Sequence, residues 1–155
     1  MSRVVVNEIE AKVGNDISFN DTVKIDTIKG KTTAGSVTVQ GEGSNTTNLQ
    51  QGLTKAWINF NGTGTIATRD SFNVTTITDD ATGRYTITIA NDMSSANYAN
   101  FGGGCVNSSA NNQQARQGPA VNNNATGSFQ MHCGSNTYAQ DDWEFPTAQI
   151  SGDLA

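Results

Sequence analysis

The sequence predicts an all-β protein, and three features of its 155 residues support this. Apolar and polar residues alternate from Tyr85 to Ala90, the period of two expected of a strand with one buried face. Clusters of Gly, Asn and Asp separate such runs and provide turns. Residues 3 to 43 show short apolar patches with no helical spacing between them. These features predict short antiparallel strands.

The first part of the chain predicts a thin β segment. Its apolar patches are Val4-Val5-Val6 with Ile9, then Ile17, Phe19, Val23, Ile25 and Ile28, then Val37 and Val39. Each patch is too short to bury itself, and one layer of such strands is marginally stable in water. The alternative is a flexible tether. Gly43 to Gly52 is the expected linker, although Gln50 and Gln51 also suit a short helical turn. We therefore divide the chain into residues 1–52 and 53–155.

The second part predicts an antiparallel, β-sandwich-like domain. Trp57, Ile58 and Phe60 begin a strand that ends at the turn residues 61–64. A second run contains Phe72, Val74 and Ile77, and residues 79–83 turn it back into the Tyr85 strand. Strand patterning resumes at Phe129, Met131 and Cys133, and again at Trp143 and Phe145 and at Ala148 and Ile150.

A polar stretch from Gly103 to Gly127 predicts a long loop. Long polar loops on a rigid β scaffold are common recognition sites. Amide side chains both donate and accept hydrogen bonds, which suits sugar hydroxyls, and Arg116 can hold a carboxylate or phosphate. The candidate receptor-binding residues are Asn111, Asn112, Gln113, Gln114, Arg116, Asn122, Asn123 and Asn124, with Tyr138 and Trp143 as candidate aromatic stacking partners.

Composition excludes some classes of partner. The formal net charge is −5 and the Lys and Arg residues are scattered, which disfavours nucleic-acid binding. No apolar run is long enough to cross a bilayer, and the N-terminus lacks the apolar core of a signal peptide, so we expect synthesis in the cytoplasm. Hydrophobic residues make up only 35%, so we expect burial between subunits.

Few residues are candidates for catalysis or metal binding. Asp141, Asp142 and Glu144 are dense enough in carboxylates for calcium, but their spacing matches no calcium loop, which favours a solvated turn. His132 is the only histidine, and in a trimer it can meet its copies at an axis. Cys133 is expected to face inward, with Cys105 as a second free thiol. No nucleophile motif is present. Paired aspartates for glycoside hydrolysis stay open. We predict no catalytic residue, metal or cofactor.

One long string carries a family resemblance. The stretch KAWINFNGTGTIATRDSFNVTTITDDATGRYTITI, followed by ANYA and the C-terminal ISGDLA, resembles the tip domain of bacteriophage tail-fibre-like proteins, and VVVNEIEAK is similar to the opening of phage structural proteins. The resemblance covers about two-thirds of the chain.

The resemblance implies a homotrimeric virion protein, made in the host cytoplasm, that attaches to a host surface glycan or protein without catalysis. Val4, Val5, Val6 and Ile9 are then expected to dock onto another virion protein. Val23, Ile25, Val37 and Val39 are expected to face inward between the copies. The alternatives are a capsid head fibre or decoration protein and, from another class, a carbohydrate-binding module.

Overall fold

The computed structural model describes residues 22–30, 37–40, 44–105, 120–134 and 139–155, and within these ranges the protein is all-β, as predicted. A single four-residue helix, α1, spans Leu49–Gly52. The strands are β1 Thr38–Gln40, β2 Thr46–Asn48, β3 Thr54–Asn61, β4 Ala67–Phe72, β5 Val74–Ala81, β6 Arg84–Ile89, β7 Ala99–Cys105, β8 Ala120–Ala125, β9 Ser128–His132 and β10 Phe145–Ser151.

The strands form three antiparallel sheets. The first sheet has the strand order β4-β3-β10-β7, the second sheet has the order β5-β6-β9-β8, and β1 pairs with β2 as a separate hairpin. The chain alternates between the two large sheets. It makes the β3–β4, β5–β6 and β8–β9 hairpins within a sheet and crosses over between hairpins. The outer strands β7 and β8 lie on the same side, where the Asn100 amide donates to Asn124 Oδ1 at 3.2 Å.

Both large sheets contribute to one hydrophobic core. The Phe60 ring from the first sheet meets the Tyr85 ring from the second edge-on, with centroids 4.9 Å apart. The period of two predicted for β6 and β9 is confirmed, because Tyr85, Ile87, Ile89, Phe129 and Met131 are all buried. The buried apolar residues are Ala56, Ile58, Phe60, Tyr85, Ile87, Ile89, Met93, Tyr98, Phe129, Met131, Cys133, Trp143, Ala148 and Ile150.

The prediction of one strand through Phe72 and Val74 is wrong. The chain leaves the first sheet after Phe72 and enters the second at Val74. Asn73 makes this corner with a φ of 56°, in the left-handed region that asparagine tolerates better than most residues. Its amide donates to the carbonyls of Lys55 and Asn91, and its Oδ1 accepts from the Asn91 backbone N–H. Phe72 consequently stays on the outside, 53% exposed.

The turn predicted over residues 79–83 is shorter than expected. Strand β5 continues to Ala81, and only Thr82 and Gly83 connect it to β6. Gly83 has a φ of 65°, and a Cβ there would lie 2.5 Å from the Cys133 carbonyl oxygen. Residue 83 must therefore be glycine, because any side chain there would clash with this carbonyl and would strain the positive φ.

The predicted loop from Gly103 to Gly127 is also shorter. Strand β7 runs to Cys105 and β8 begins at Ala120, so the stretch between these strands is residues 106–119, outside the described part of the chain. Strand β8 departs from regular alternation because its register with β9 shifts between Asn122 and Ala125, and Asn123 has a φ of 48°. Trp143 likewise precedes β10 and is not part of it.

The predicted linker is partly ordered structure. Asn48 caps α1, since its Oδ1 accepts from the Gln51 N–H at 3.1 Å. The Gln51 side chain then donates to Asp153 Oδ2 at 3.1 Å, and Lys55 Nζ donates to the Gln50 carbonyl. The helical turn considered for Gln50 and Gln51 is therefore confirmed, and it is tied to the larger domain.

Candidate functional site

The structure describes only some of the predicted receptor-binding residues. Asn122, Asn123 and Asn124 lie on β8, at an outer edge of the second sheet. The Asn123 amide donates to Gln130 Oε1 on β9. The other polar candidates, Asn111, Asn112, Gln113, Gln114 and Arg116, lie outside the described residues, as do Tyr138 and the proposed docking residues Val4, Val5, Val6 and Ile9.

Trp143 does not suit its predicted stacking role. The side chain is only 2% exposed and belongs to the core. Its indole Nε1 is buried without a hydrogen-bond partner, and its backbone carbonyl accepts from the Gly62 N–H at 2.9 Å. A ring enclosed in this way cannot stack on an external ligand, so Trp143 is a core residue.

Within the acidic group Asp141, Asp142 and Glu144, the Asp142 carboxylate has a structural role. Asp142 Oδ1 accepts from the Tyr85 hydroxyl at 2.8 Å and from the Gly83 N–H at 2.6 Å. The same hydroxyl lies 2.9 Å from the Gly62 carbonyl. Burial, and then the hydrogen bond to Asp142, raises the pKa of Tyr85. Asp142 therefore fastens the β5–β6 turn to the stretch before β10.

His132 and Cys133 point to opposite faces of the second sheet, as alternation predicts. Cys133 is 1% exposed in the core, and burial raises the pKa of its thiol to about 12. Such a thiol is unreactive at neutral pH. Cys105 is exposed, and both cysteines are free thiols. Among the described residues, no group of three or more His, Cys, Asp or Glu side chains is arranged to hold a metal ion.

Aromatic side chains form part of a row on the outer face of the first sheet. Trp57 alternates with the buried Ala56 and Ile58, so its ring belongs to that outer face. Strand register places four side chains side by side across β4, β3, β10 and β7. In order they are Phe72, Trp57, Gln149 and Phe101. Adjacent strands lie about 4.8 Å apart, so the row spans roughly 14 Å.

Polar side chains adjoin these rings. Asn59 and Thr147 are paired one step further along β3 and β10, and with Trp57, Gln149 and Phe101 they line a groove of about 370 Å³. We call this surface the outer groove. Phe101 is 64% exposed. Across the described ranges, the side chains of Asn59, Thr147 and Gln149 form no hydrogen bond.

A glycine shapes the floor of the outer groove. A Cβ at Gly103 would lie 3.4 Å from Phe101 Cε1 and 3.2 Å from Thr147 Oγ1. The Phe101 ring therefore leans along β7 over Gly103 and toward β10. Without a side chain at residue 103, the ring presents a broad surface beside Thr147.

The outer groove can receive a ligand that offers both an apolar face and hydrogen-bonding groups. Unpartnered amides and exposed rings on a regular sheet need little reorganisation before contact. Sequence reasoning assigned Trp57 to a strand but did not identify its outer face as a site. The available signal was the alternation of Trp57 and Asn59 with buried neighbours, whereas Phe101 joins them only through strand pairing.

The described part of the chain contains no helix long and apolar enough to cross a membrane. Comparison with protein-family models, curated proteins and solved structures finds no match to this chain.

Proposed function

We propose that this protein is a virion structural protein, a homotrimeric phage tail fibre that attaches to the host cell surface without catalysis. Residues 53–155 form its β-sandwich-like tip, and residues 1–52 form a thin segment whose N-terminus docks onto another virion protein. The receptor is a host surface glycan or protein. The protein is made in the host cytoplasm and carried on the virion.

One observation carries this proposal: large apolar side chains before β3 are uncovered, although the chain builds a hydrophobic core after that point. The described core residues all lie between Ala56 and Ile150. Before β3, Val23 is 46% exposed, Ile25 59% and Val39 50%, and the large apolar residues exposed after it are Phe72, Phe101 and Leu154. A self-contained domain preceded by uncovered apolar residues supports assembly through that segment, because such residues are stabilised by burial against other copies.

The outer groove supports the attachment role. It places aromatic rings and free amides on a sheet that is held rigid by a shared core. Binding at such a surface requires no catalytic group. The carboxylate of Asp142 already accepts two structural hydrogen bonds.

The groove also favours a second candidate function, that of a carbohydrate-binding module outside any virion. The two candidates differ in what the N-terminal segment does, since a detached module needs no docking strand. A capsid head fibre or decoration protein differs from a tail fibre only in where that segment docks.

The test is a deletion of residues 1–12 in the phage that encodes the chain. The truncated protein should still form folded trimers, and purified particles should lack it in immunoblots and immunogold images. Full-length protein should be present at the tail and should bind host cells. Normal incorporation of the truncated chain would refute the docking role, and absence of the full-length chain from particles would refute the virion assignment.

A second variant tests the predicted receptor loop. Residues 106–119 are replaced by a Gly-Ser linker of equal length, which leaves β7 and β8 intact. Loss of host adsorption with unchanged trimers would assign recognition to the loop residues Asn111 to Arg116. Unchanged adsorption would move recognition to another surface of the tip.

A further inference from the structure

We propose that the outer groove binds a neutral glycan chain, with sugar rings resting on Trp57 and Phe101. This inference rests on the proposed attachment function and names the ligand class and the residues that would carry it. Three features of the groove support it: the spacing of its rings, the chemistry of its polar groups and its lack of positive charge.

The spacing of the rings suits a chain of sugars. Trp57 and Phe101 are two strands apart, with Gln149 between them in the same row, so their Cα atoms are roughly 10 Å apart. Phe72 extends the row by one strand beyond Trp57. A sugar ring has a face of C–H groups that packs on an aromatic ring, and a glycan repeats that face along its length. The row therefore offers successive platforms to one extended chain.

The polar groups suit hydroxyls. Each sugar hydroxyl both donates and accepts a hydrogen bond, and a primary amide does the same. Asn59 and Gln149 supply two amides, and Thr147 supplies a hydroxyl between the rings. These side chains form no hydrogen bond with any described residue. A purely apolar partner would bury them unsatisfied, which is unfavourable.

The charge of the groove selects neutral glycans. No Lys or Arg lines it. On the β4 side of the groove, Asp70 pairs with Asn59 and is exposed. Arg69 lies on the same face of the sheet, but its guanidinium sits 4.2 Å from the centre of the Phe145 ring and donates to the Glu144 carbonyl. An acidic polysaccharide would therefore meet the Asp70 carboxylate with no cation among the lining residues to compensate, whereas a neutral chain carries no such penalty.

The experiment is electrophoresis of the full-length protein through native gels that contain soluble polysaccharide. The neutral polymers are hydroxyethylcellulose, galactomannan and dextran, and the acidic polymer is alginate. We expect retardation by at least one neutral polymer and none by alginate. Phe101→Ala and Gln149→Ala should each weaken the interaction about tenfold, because each removes a direct contact. Trp57→Phe keeps a ring and should retain part of the retardation.

Gln140→Ala is the matched control, because Gln140 is also an exposed amide but lies in the connection between β9 and β10. It should migrate like the unmodified protein. Light scattering on every variant excludes a change in assembly, and urea titration confirms that each is folded.

Several results would overturn the proposal. Free migration through all the neutral gels would refute glycan binding, and retardation by alginate alone would refute the charge argument. If the Phe101→Ala and Gln149→Ala variants are retarded as strongly as the unmodified protein, the binding lies outside the groove. A fall in oligomer size on Phe101→Ala, without glycan retardation of the unmodified protein, would identify the groove as a contact between copies. If the protein is retarded through the groove but is absent from virions, the glycan proposal stands and only the proposed attachment function is refuted.

Discussion

At the scale of single residues, buried polar groups tie the loops to the core. Tyr85 is 0% exposed, yet its hydroxyl reaches the Gly62 carbonyl after β3 and the Asp142 carboxylate before β10. Tyr98 acts similarly, since its hydroxyl lies 3.1 Å from the Ala125 carbonyl and 3.0 Å from that of Ser128. Each tyrosine thus fills the core with its ring and fixes a connection with its hydroxyl.

Tyr85→Phe should lower the free energy of unfolding by about 1–3 kcal/mol, because it removes the buried O–H donor that lies between the Gly62 carbonyl and the Asp142 carboxylate, without opening a cavity. Urea denaturation measures the change. The control is Thr86→Val, which removes the exposed hydrogen bond from the Thr86 hydroxyl to Asp80 Oδ2 and should change stability by less than about 0.5 kcal/mol. Equal effects of the two substitutions would contradict the role assigned to Tyr85.

Buried acidic groups also predict how stability depends on pH. Burial raises the pKa of Cys133 from 9.0 to about 12 and that of Tyr98 from 10.0 to about 12, and it raises the pKa of Tyr85. Above pH 9 the unfolded chain therefore loses protons that the folded chain keeps, so stability is full below that pH and falls as pH rises.

Urea midpoints measured from pH 7 to pH 11 should be level to about pH 9 and then fall. Cys133→Val removes the thiol, so the fall should begin nearer the tyrosine value of about 10. A midpoint that rises above pH 9, or an onset that Cys133→Val leaves unchanged, would contradict this assignment.

At the scale of elements, the sequence predicts the strands whose faces alternate and misses those that depend on pairing. Strands β6 and β9 alternate between buried and partly buried residues, so a period of two reveals them. Strand β7 contains three consecutive glycines, and β8 is rich in asparagine, two residue types depleted in strands. Both are outer strands with one neighbour in their sheet, and hydrogen bonds to β10 and β9 decide their conformation.

The candidate site, like strands β7 and β8, depends on strand pairing and so cannot be recognised from local sequence. An exposed ring such as Phe101 has no local signal of its own, because its neighbours are Asn100 and Gly102. Only the register through Gln149 brings it into one row with Trp57. The polar stretch from Gly103 to Gly127, in contrast, is visible in the sequence itself, because its composition differs from that of the flanking strands.

Asn73 tests how the chain changes sheets between β4 and β5. Asn73→Gly should destabilise the fold by about 1–3 kcal/mol, because the side-chain hydrogen bonds to Lys55 and Asn91 are lost while glycine accepts the positive φ. Asn73→Ala should cost about 1 kcal/mol more, because alanine is strained in the left-handed region. Thermal and urea unfolding measure both variants. Equal stability of the Gly and Ala variants would show that the corner does not require this φ.

At the scale of the whole molecule, the large domain and the segment before β3 differ in how far their apolar side chains are buried. Within the described ranges, the two large sheets and the connections between their strands together enclose one core. The β1–β2 hairpin has two strands of three residues each, and Val39 within it is 50% exposed. A two-stranded hairpin is marginal in water by itself. Association with other copies, as proposed, would bury the exposed apolar residues before β3, and α1 connects the β1–β2 hairpin to the larger domain through Gln51 and Asp153.

The oligomeric state is the clearest test of this division. Multi-angle light scattering on the purified chain should give three times its mass of 16.3 kDa. Replacing Ile25 and Val39 with serine together should shift the protein toward monomer, because both side chains are expected to lie between copies. Leu154→Ser is the matched control, since Leu154 is 40% exposed but lies beyond β10, and its trimers should persist. A folded, stable monomer of the unmodified chain at micromolar concentration would refute the trimer. Loss of trimers in the Leu154→Ser control with retention in the double variant would refute the placement of Ile25 and Val39 between the copies.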